Sequence, residues 1–296
     1  MTAANSDLVT GTINRSLPAR IAARTGGGAL RIFLIVVALV WLVPSFGLLV
    51  ESFRGATHYA DGGWWEGVVN PAQLTFSNYS TLLQNHTITS GFFNTIEITV
   101  PATILVVLIG SAAGYAFAWM DFPGRDWLFT GVVALLVVPI QIALIPVVRL
   151  YSALGISGSI LSVILFHVAF GLPFAIFLLR NYFVGIPRDL MEAARMDGAS
   201  EGRIFIRVIL PLGMPAIASL GIFQFLWVWN DLLVALVFSN ASSQPLTVAL
   251  AGQTRQFGSS IDVLAPGAFL SLIVPLAVFL AFQRFFVQGA MAGSVK

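Results

Sequence analysis

Few side chains in this sequence are able to do acid–base, metal or phosphate chemistry, and their spacing excludes most of it. Cysteine is absent, so there is no thiol nucleophile, disulfide or thiolate metal site. The three histidines, His58, His86 and His167, stand far apart and lack metal-ligand spacing. The only lysine is Lys296. A P-loop needs a lysine directly after its glycines to reach the phosphates, so the chain carries no Walker A motif. No catalytic cluster gathers anywhere along it, and no catalytic or metal-ligating residue is assigned.

One polar segment does carry a pattern, Ile186-Pro187-Arg188-Asp189-Leu190-Met191-Glu192-Ala193-Ala194-Arg195-Met196-Asp197-Gly198-Ala199-Ser200. Asp189 is placed to N-cap a short helix, with Glu192 three residues on completing a capping box. Ala193 and Ala194 are small and favour helix. Gly198 suits the left-handed position that ends one. Ser200 then caps a second helix running through Arg203, Phe205 and Val208 toward Pro211. The outcome is an elbow of two short helices whose join offers small residues and a carboxylate to a cleft on another protein.

The remaining polar candidates lie in apolar surroundings: Gln141, His167, Gln224, Asn230 and Asp231. Polar groups within a bilayer face protein or a cavity. These five either make interhelical bonds or line a pathway. Carboxylates and histidines of the kind that serve an ion-coupled carrier are few, with Glu97 the only addition, and no inverted repeat with matched broken helices is visible. An ion-driven carrier and a membrane-embedded transferase are therefore the weaker alternatives, and a partner protein is the expected energy source.

The elements that must position these residues are membrane helices. Hydrophobic residues make up 57% of the 296 and charged residues 9%, against about 25% charged in a soluble domain. Apolar runs reach the twenty or so residues that a helix needs to cross a bilayer, and backbone in lipid must satisfy its own hydrogen bonds. Six spans are expected, near residues 29–50, 94–119, 127–148, 159–179, 214–238 and 266–286, with Pro139, Pro146 and Pro173 kinking the third and fourth. With both termini inside, the cytoplasmic segments hold Arg15, Arg20, Arg24, Arg31, Arg125, Arg180, Arg188, Arg195, Arg203, Arg207, Arg284 and Lys296. The outer loops hold only Arg54, Arg149 and Arg255. The positive-inside rule then selects this orientation. The expected organisation is a cytoplasmic tail 1–28, an all-α six-helix membrane domain 29–286 and a cytoplasmic tail 287–296. The elbow lies in the cytoplasmic loop 180–211, and loops 51–91, 149–158 and 239–265 lie outside. The surroundings are membrane lipid. A net charge of +2, scattered along the chain, argues against nucleic acid as a partner.

The elbow resembles the signature of permease subunits of ABC importers, E-A-A-x3-G-x9-I-x-L-P. Glu192, Ala193, Ala194, Gly198, Leu210 and Pro211 match it, and Val208 replaces the isoleucine. Asp197-Gly198-Ala199-Ser200 and Trp229-Asn230-Asp231 resemble the sugar permeases of this group. The C-terminal Gln283-Arg284-Phe285-Phe286-Val287-Gln288-Gly289 and Ala292-Gly293-Ser294-Val295-Lys296 resemble its maltose-type, six-span branch, and Gly63-Trp64-Trp65 resembles the α-glucoside branch. The likeness covers most of residues 30–296. It implies a subunit in the bacterial cytoplasmic membrane, part of a binding-protein-dependent sugar importer. Its implied partners are a second homologous permease chain, two ATPase subunits that bind the ATP and Mg, and an extracytoplasmic sugar-binding protein. This chain binds no cofactor itself. The resemblance further implies that Glu192, Ala193, Ala194, Asp197 and Gly198 dock into the ATPase, with Glu192 meeting a basic residue there.

Overall fold

The computed structural model describes the backbone of residues 17–256 and 261–292 and the side chains of 28, 30–253 and 261–283. The start of the expected N-terminal tail and the end of the C-terminal motif lie outside these described residues. Among the described residues there are helices and no strands, only two isolated bridges. The chain forms two compact units, residues 1–47 and residues 48–296. Helix α1, Leu17–Phe53, carries the first unit and continues into the second.

The second unit begins with a surprise. The segment expected as a polar loop, 51–91, is folded. It holds α2 (Trp65–Val69), α3 (Ser77–Gln84) and two short 3₁₀ turns, and the next long helix starts within it. Arg54 organises this module. Its side chain is fully buried, with Nε donating to Gln73 Oε1 at 2.8 Å and Nη1 to the Gly62 carbonyl at 2.8 Å. Asn78, also buried, donates to the carbonyls of Ser52 and Arg54 and to the Tyr59 hydroxyl. A buried cation survives only with its donors satisfied, so these bonds hold the turns in place.

The spans follow. Helix α4, His86–Trp119, starts where the Asn85 side chain accepts the amides of Thr87 and Ile88, an N-cap of the usual kind. The expected third span is two helices, α5 (Arg125–Leu135) and α6 (Ile140–Ala153), bent by 101° at the residues between them. Pro139 is the N-cap of α6; its ring cannot continue the hydrogen-bond ladder of α5. Helix α7, Ile160–Val184, starts at Ser159, whose hydroxyl accepts the Ser162 amide, and runs with Pro173 inside it.

The elbow comes next: α8 (Arg188–Met196), α9 (Glu201–Ile204), a π-helical turn over Phe205–Ile209, and α10 (Leu210–Trp229). Pro211 does not end a helix here. It occupies the start of α10 directly after the π turn, whose extra residue accommodates the missing proline N–H. The second arm of the elbow is therefore the beginning of a membrane span and not a separate short helix. After α10 come α11 (Leu233–Phe238), α12 (Leu246–Gln256) within the expected outer loop, and α13 (Ile261–Ala292). Among the described residues five helical stretches are long and apolar enough to cross a membrane, six if the bent α5–α6 pair is one span.

Small residues set the packing of α4 on α7. A Cβ on Gly110 would stand 2.7 Å from the Ala175 Cβ, and one on Gly114 would stand 3.0 Å from the Leu179 Cβ. Helices in lipid associate through such close approach. Polar bonds then fix the two ends. At one end, Asn94 donates to the carbonyls of Ser242 and Gln244, Thr95 accepts the Leu246 amide, and Ser162 donates to the Phe238 carbonyl. Segments 91–95, 158–162 and 238–247 thus meet at one end of the second unit, and the elbow meets α4 and α7 at the other.

Candidate functional site

Helix α8 sits on the second unit by one apolar stripe. Met191 is completely buried, Ile186 nearly so, and Ala194 and Ala199 pack against the same cluster with fully buried Ile204. The opposite stripe is free. Asp189, Glu192, Ala193 and Met196 recur at i, i+3, i+4 and i+7, which is one helix face, and all four are exposed. Met196 is 88% exposed. The face thus carries one open apolar side chain and two carboxylates. Glu192 makes no ion pair among the described residues.

The capping differs from the sequence reading. The N-cap is Pro187, one residue before Arg188 starts the helix, and no side chain caps it. Asp189 lies in the first turn, so it supports the helix through its charge at the positive end of the dipole, and the capping box with Glu192 does not form. Ser200 does precede α9 as its N-cap, but through its carbonyl, which accepts the amides of Arg203 and Ile204; its hydroxyl caps nothing. Gly198 has φ +74°. Its amide bonds to the Arg195 carbonyl and the Ala199 amide to the Ala194 carbonyl, which is the Schellman arrangement. The bend of the elbow is thus made by one left-handed glycine.

A latch that the sequence pattern does not reveal ties this bend to the spans. Tyr115 on α4 donates its hydroxyl hydrogen to Glu201 Oε2. Arg195 Nε donates to Glu201 Oε1 at 3.0 Å, and its Nη2 donates to the Trp119 carbonyl at 3.2 Å. Trp119 Nε1 in turn donates to the Phe183 carbonyl on α7. The Glu201 carboxylate hydrogen-bonded to Arg195 holds its guanidinium above its ordinary value. The ion pair itself is partly exposed and contributes roughly 0.2–1 kcal/mol; the chain of bonds from α8 to α4 and α7 matters more. Loss of the Tyr115 hydroxyl in Tyr115→Phe should loosen the latch by about 1–2 kcal/mol. Amide exchange over residues 195–204 is expected to speed up by roughly five-fold or more; unchanged exchange would show that the elbow is held by its apolar stripe alone.

The five polar candidates of the spans are not one cluster. His167 is buried, and its Nε2 lies 3.6 Å from Asp231 Oδ2. Asp231, one residue before the N-cap Leu232, accepts the amides of Val234 and Ala235 in the first turn of α11. The expected single span 214–238 breaks there, because a carboxylate that caps a new helix competes with the ladder of the old one. Asn230 is the C-cap of α10; it is exposed and donates to the Leu226 carbonyl. Gln224 is buried beside Gly171, which lies one turn along α7 from His167, at a pocket lined by α7 and α10. Gln141 is exposed near the start of α6. The structure therefore brings His167 and Asp231 together, places Gln224 beside Gly171 of α7, and leaves Asn230 exposed at the end of α10 and Gln141 exposed on α6.

Known proteins point the same way. Residues 106–290 match the family described as binding-protein-dependent transport system inner membrane component. The chain is 48% identical over 272 residues to the osmoprotective compounds uptake permease protein GgtD of Synechocystis sp., covering 90% of this chain and 91% of that one. It is 47% identical over 233 residues to the alpha-glucoside transport system permease protein AglG of Rhizobium meliloti, covering 76% of this chain but only 61% of that longer relative. Its fold matches a chain in the crystal structure of a bacterial ABC transporter involved in the import of the acidic polysaccharide alginate, with a TM-score of 0.77 at 22% identity, over 90% of this chain and 98% of that one.

Proposed function

We propose a glycoside-import role for this chain, which belongs to the family of binding-protein-dependent transport system inner membrane components. It is a multi-pass inner-membrane permease subunit of an ABC importer, and not an enzyme. Such importers work with ATPase subunits and a periplasmic binding protein. The ion-driven carrier and the transferase fall away with this membership.

The finer reading takes the exposed face of α8 as the surface that docks in an ATPase cleft. The observation that carries it is the contrast on this helix: one stripe buried and latched to α4 and α7, the other, with Glu192 and Met196, open. Two ATPase subunits bind the ATP and Mg, and a second, homologous permease completes the pathway. Closure of the ATPases moves α8. Because α9, the π turn and α10 are one continuous helical run, a push on α8 reaches α10 through the Arg195–Glu201 pair and the left-handed bend at Gly198. Each ligand then biases an inward-facing against an outward-facing state by its differential affinity. Sugar passes from the binding protein into the space between the two permeases. The names of the relatives, an alpha-glucoside permease and an osmoprotective compounds uptake permease, support an α-glucoside or another osmoprotective compound as cargo. Uptake of maltose, trehalose, sucrose and glycine betaine by vesicles holding the complete importer tests this; import of betaine with no import of any glycoside would refute it.

The orientation is open to direct test, since the chain has no cysteine of its own. Ser200, at the elbow, and Ala241, at the opposite end of the second unit, are both exposed. With both termini cytoplasmic, an impermeant thiol reagent on intact cells is expected to label Ala241→Cys and not Ser200→Cys. The reverse pattern would invert the topology.

A further inference from the structure

Helices α7 and α10 line a pocket of about 290 Å³, formed by Phe170, Gly171, Phe174, Phe223, Gln224 and Trp227 and open on the side where Phe174, Phe223 and Trp227 are exposed. Four aromatic rings and a single amide line it, and among the described residues no charged side chain does. The amide is buried, with Gln224 4% exposed, and its Nε2 has no hydrogen-bond partner among the described residues. A buried donor of this kind calls for an explanation. Gly171 makes room for it. A Cβ there would stand 2.8 Å from Gln224 Oε1, 3.0 Å from Nε2 and 3.0 Å from Val106 Cγ2. The amide thus lies against bare backbone and cannot swing through α7. Trp227 is fixed from above. The His167 ring meets it edge to face at 5.2 Å, and His167 is in turn 3.6 Å from Asp231, which the amides of Val234 and Ala235 hold.

We infer that this cavity is a subsite for one pyranose ring of a neutral glycoside on its way through the permease. The apolar C–H face of a sugar ring lies against the aromatic rings, and the Gln224 amide donates to a hydroxyl or ring oxygen. The volume sits at the lower end of small-molecule clefts, which run from about 300 Å³ upward, so it takes one ring and not an oligosaccharide. The absence of charge from the lining argues against acidic sugars, sugar phosphates and zwitterions. A quaternary ammonium would also favour aromatic faces, but it offers nothing to the orphan N–H of Gln224. His167 and Asp231 are positioning residues for Trp227. The inference rests on the glycoside-import reading.

Uptake of radiolabelled maltose, trehalose, sucrose and glycine betaine in vesicles with the complete importer tests the subsite, normalised to co-purified complex. The variants are Gln224→Leu, Trp227→Leu and Phe174→Leu, with Trp227→Phe as the ring-keeping partner. Leucine keeps the apolar contact that lipid or a neighbouring helix would want and removes the ring face or the donor that a sugar needs. Each leucine variant is expected to raise the KM for the imported glycoside or lower its maximal rate by about ten-fold, the loss that corresponds to ~1.4 kcal/mol. Trp227→Phe is expected to restore most of the uptake, and the basal ATPase rate and the yield of complex to stay unchanged. Normal glycoside uptake in all three leucine variants would overturn the subsite and leave the importer reading standing. So would a fall in uptake matched by a fall in assembled complex, which marks a packing role. Loss of betaine import alone would replace the sugar by a cation. If the wild-type complex imports none of the three glycosides, the function reading fails and the subsite fails with it.

Discussion

Gly198→Val is expected to abolish import while leaving the spans inserted. Gly198 has φ +74°, and no atom lies within 4 Å of where a Cβ would stand. The penalty is therefore in the backbone and not in crowding. For a β-branched residue a left-handed conformation is a genuine outlier, and holding one there costs of the order of 1–3 kcal/mol. The Schellman bonds of Gly198 and Ala199 to α8 are the first to yield. Without them Arg195 no longer meets Glu201, and α8 loses its fixed angle to α10. Gly198→Asn, which tolerates the left-handed region far better, is expected to keep most of the function. Glu192→Lys attacks the same contact differently. Glu192 is exposed and has no partner within the described chain, so the substitution leaves the fold alone and reverses the charge on the face proposed to meet the ATPase. Both variants should lower uptake and binding-protein-stimulated ATP hydrolysis by more than about ten-fold, a coupling loss above ~1.4 kcal/mol. Co-purification of the ATPase is expected to weaken, and membrane insertion to stay normal. Wild-type import by Gly198→Val and Glu192→Lys with an intact complex would reduce α8 to a surface hairpin.

Much of this architecture is written in local sequence. The apolar runs announce the spans because lipid leaves the backbone no other choice. The bend at Gly198 is legible because glycine is the residue that takes φ > 0 without strain. What sequence pattern misses is long-range or a matter of competition. Tyr115 and Glu201 are 86 residues apart, and nothing periodic links the end of α4 to the elbow. Asp189 reads as a cap, but Pro187 already supplies the fixed φ that starts the helix, so Asp189 falls inside. Pro211 reads as a stop, but a π turn absorbs it. Asp231 reads as a polar residue within a span, and only its bonds to Val234 and Ala235 reveal the break between one helix and the next. The folded module after α1 is hidden for a different reason. Its core is Arg54, Gln73 and Asn78, polar residues that count as loop in any hydropathy reading.

Gly110→Leu is expected to have the largest effect on assembly. The pairing of α4 with α7 is the most extensive in the second unit, and Gly110 lies at its tightest point. A Cβ there would come within 2.7 Å of the Ala175 Cβ, and Ala175 is fully buried. A Cβ is fixed to its backbone, so neither side relaxes by a rotamer change; the helices must separate. Overpacking of a well-packed core costs typically about 1–3 kcal/mol, and leucine adds three more carbons to a site that rejects the first. The separation also reaches the elbow, because Tyr115 and Trp119 on α4 hold Glu201 and Arg195, and Trp119 bonds to Phe183 on α7. Gly131→Leu is the control. Gly131 is exposed on α5 with nothing within 4 Å of a Cβ, and leucine is the better helix former by roughly 0.5–1 kcal/mol. The check is the midpoint of thermal aggregation in detergent, with the yield of assembled importer. Gly131→Leu should match or exceed the wild type, and Gly110→Leu should lose several degrees and most of its complex. A Gly110→Leu chain that assembles and melts like the wild type would mean that α4 and α7 do not meet at this glycine, and the close packing that positions the elbow would have to be abandoned.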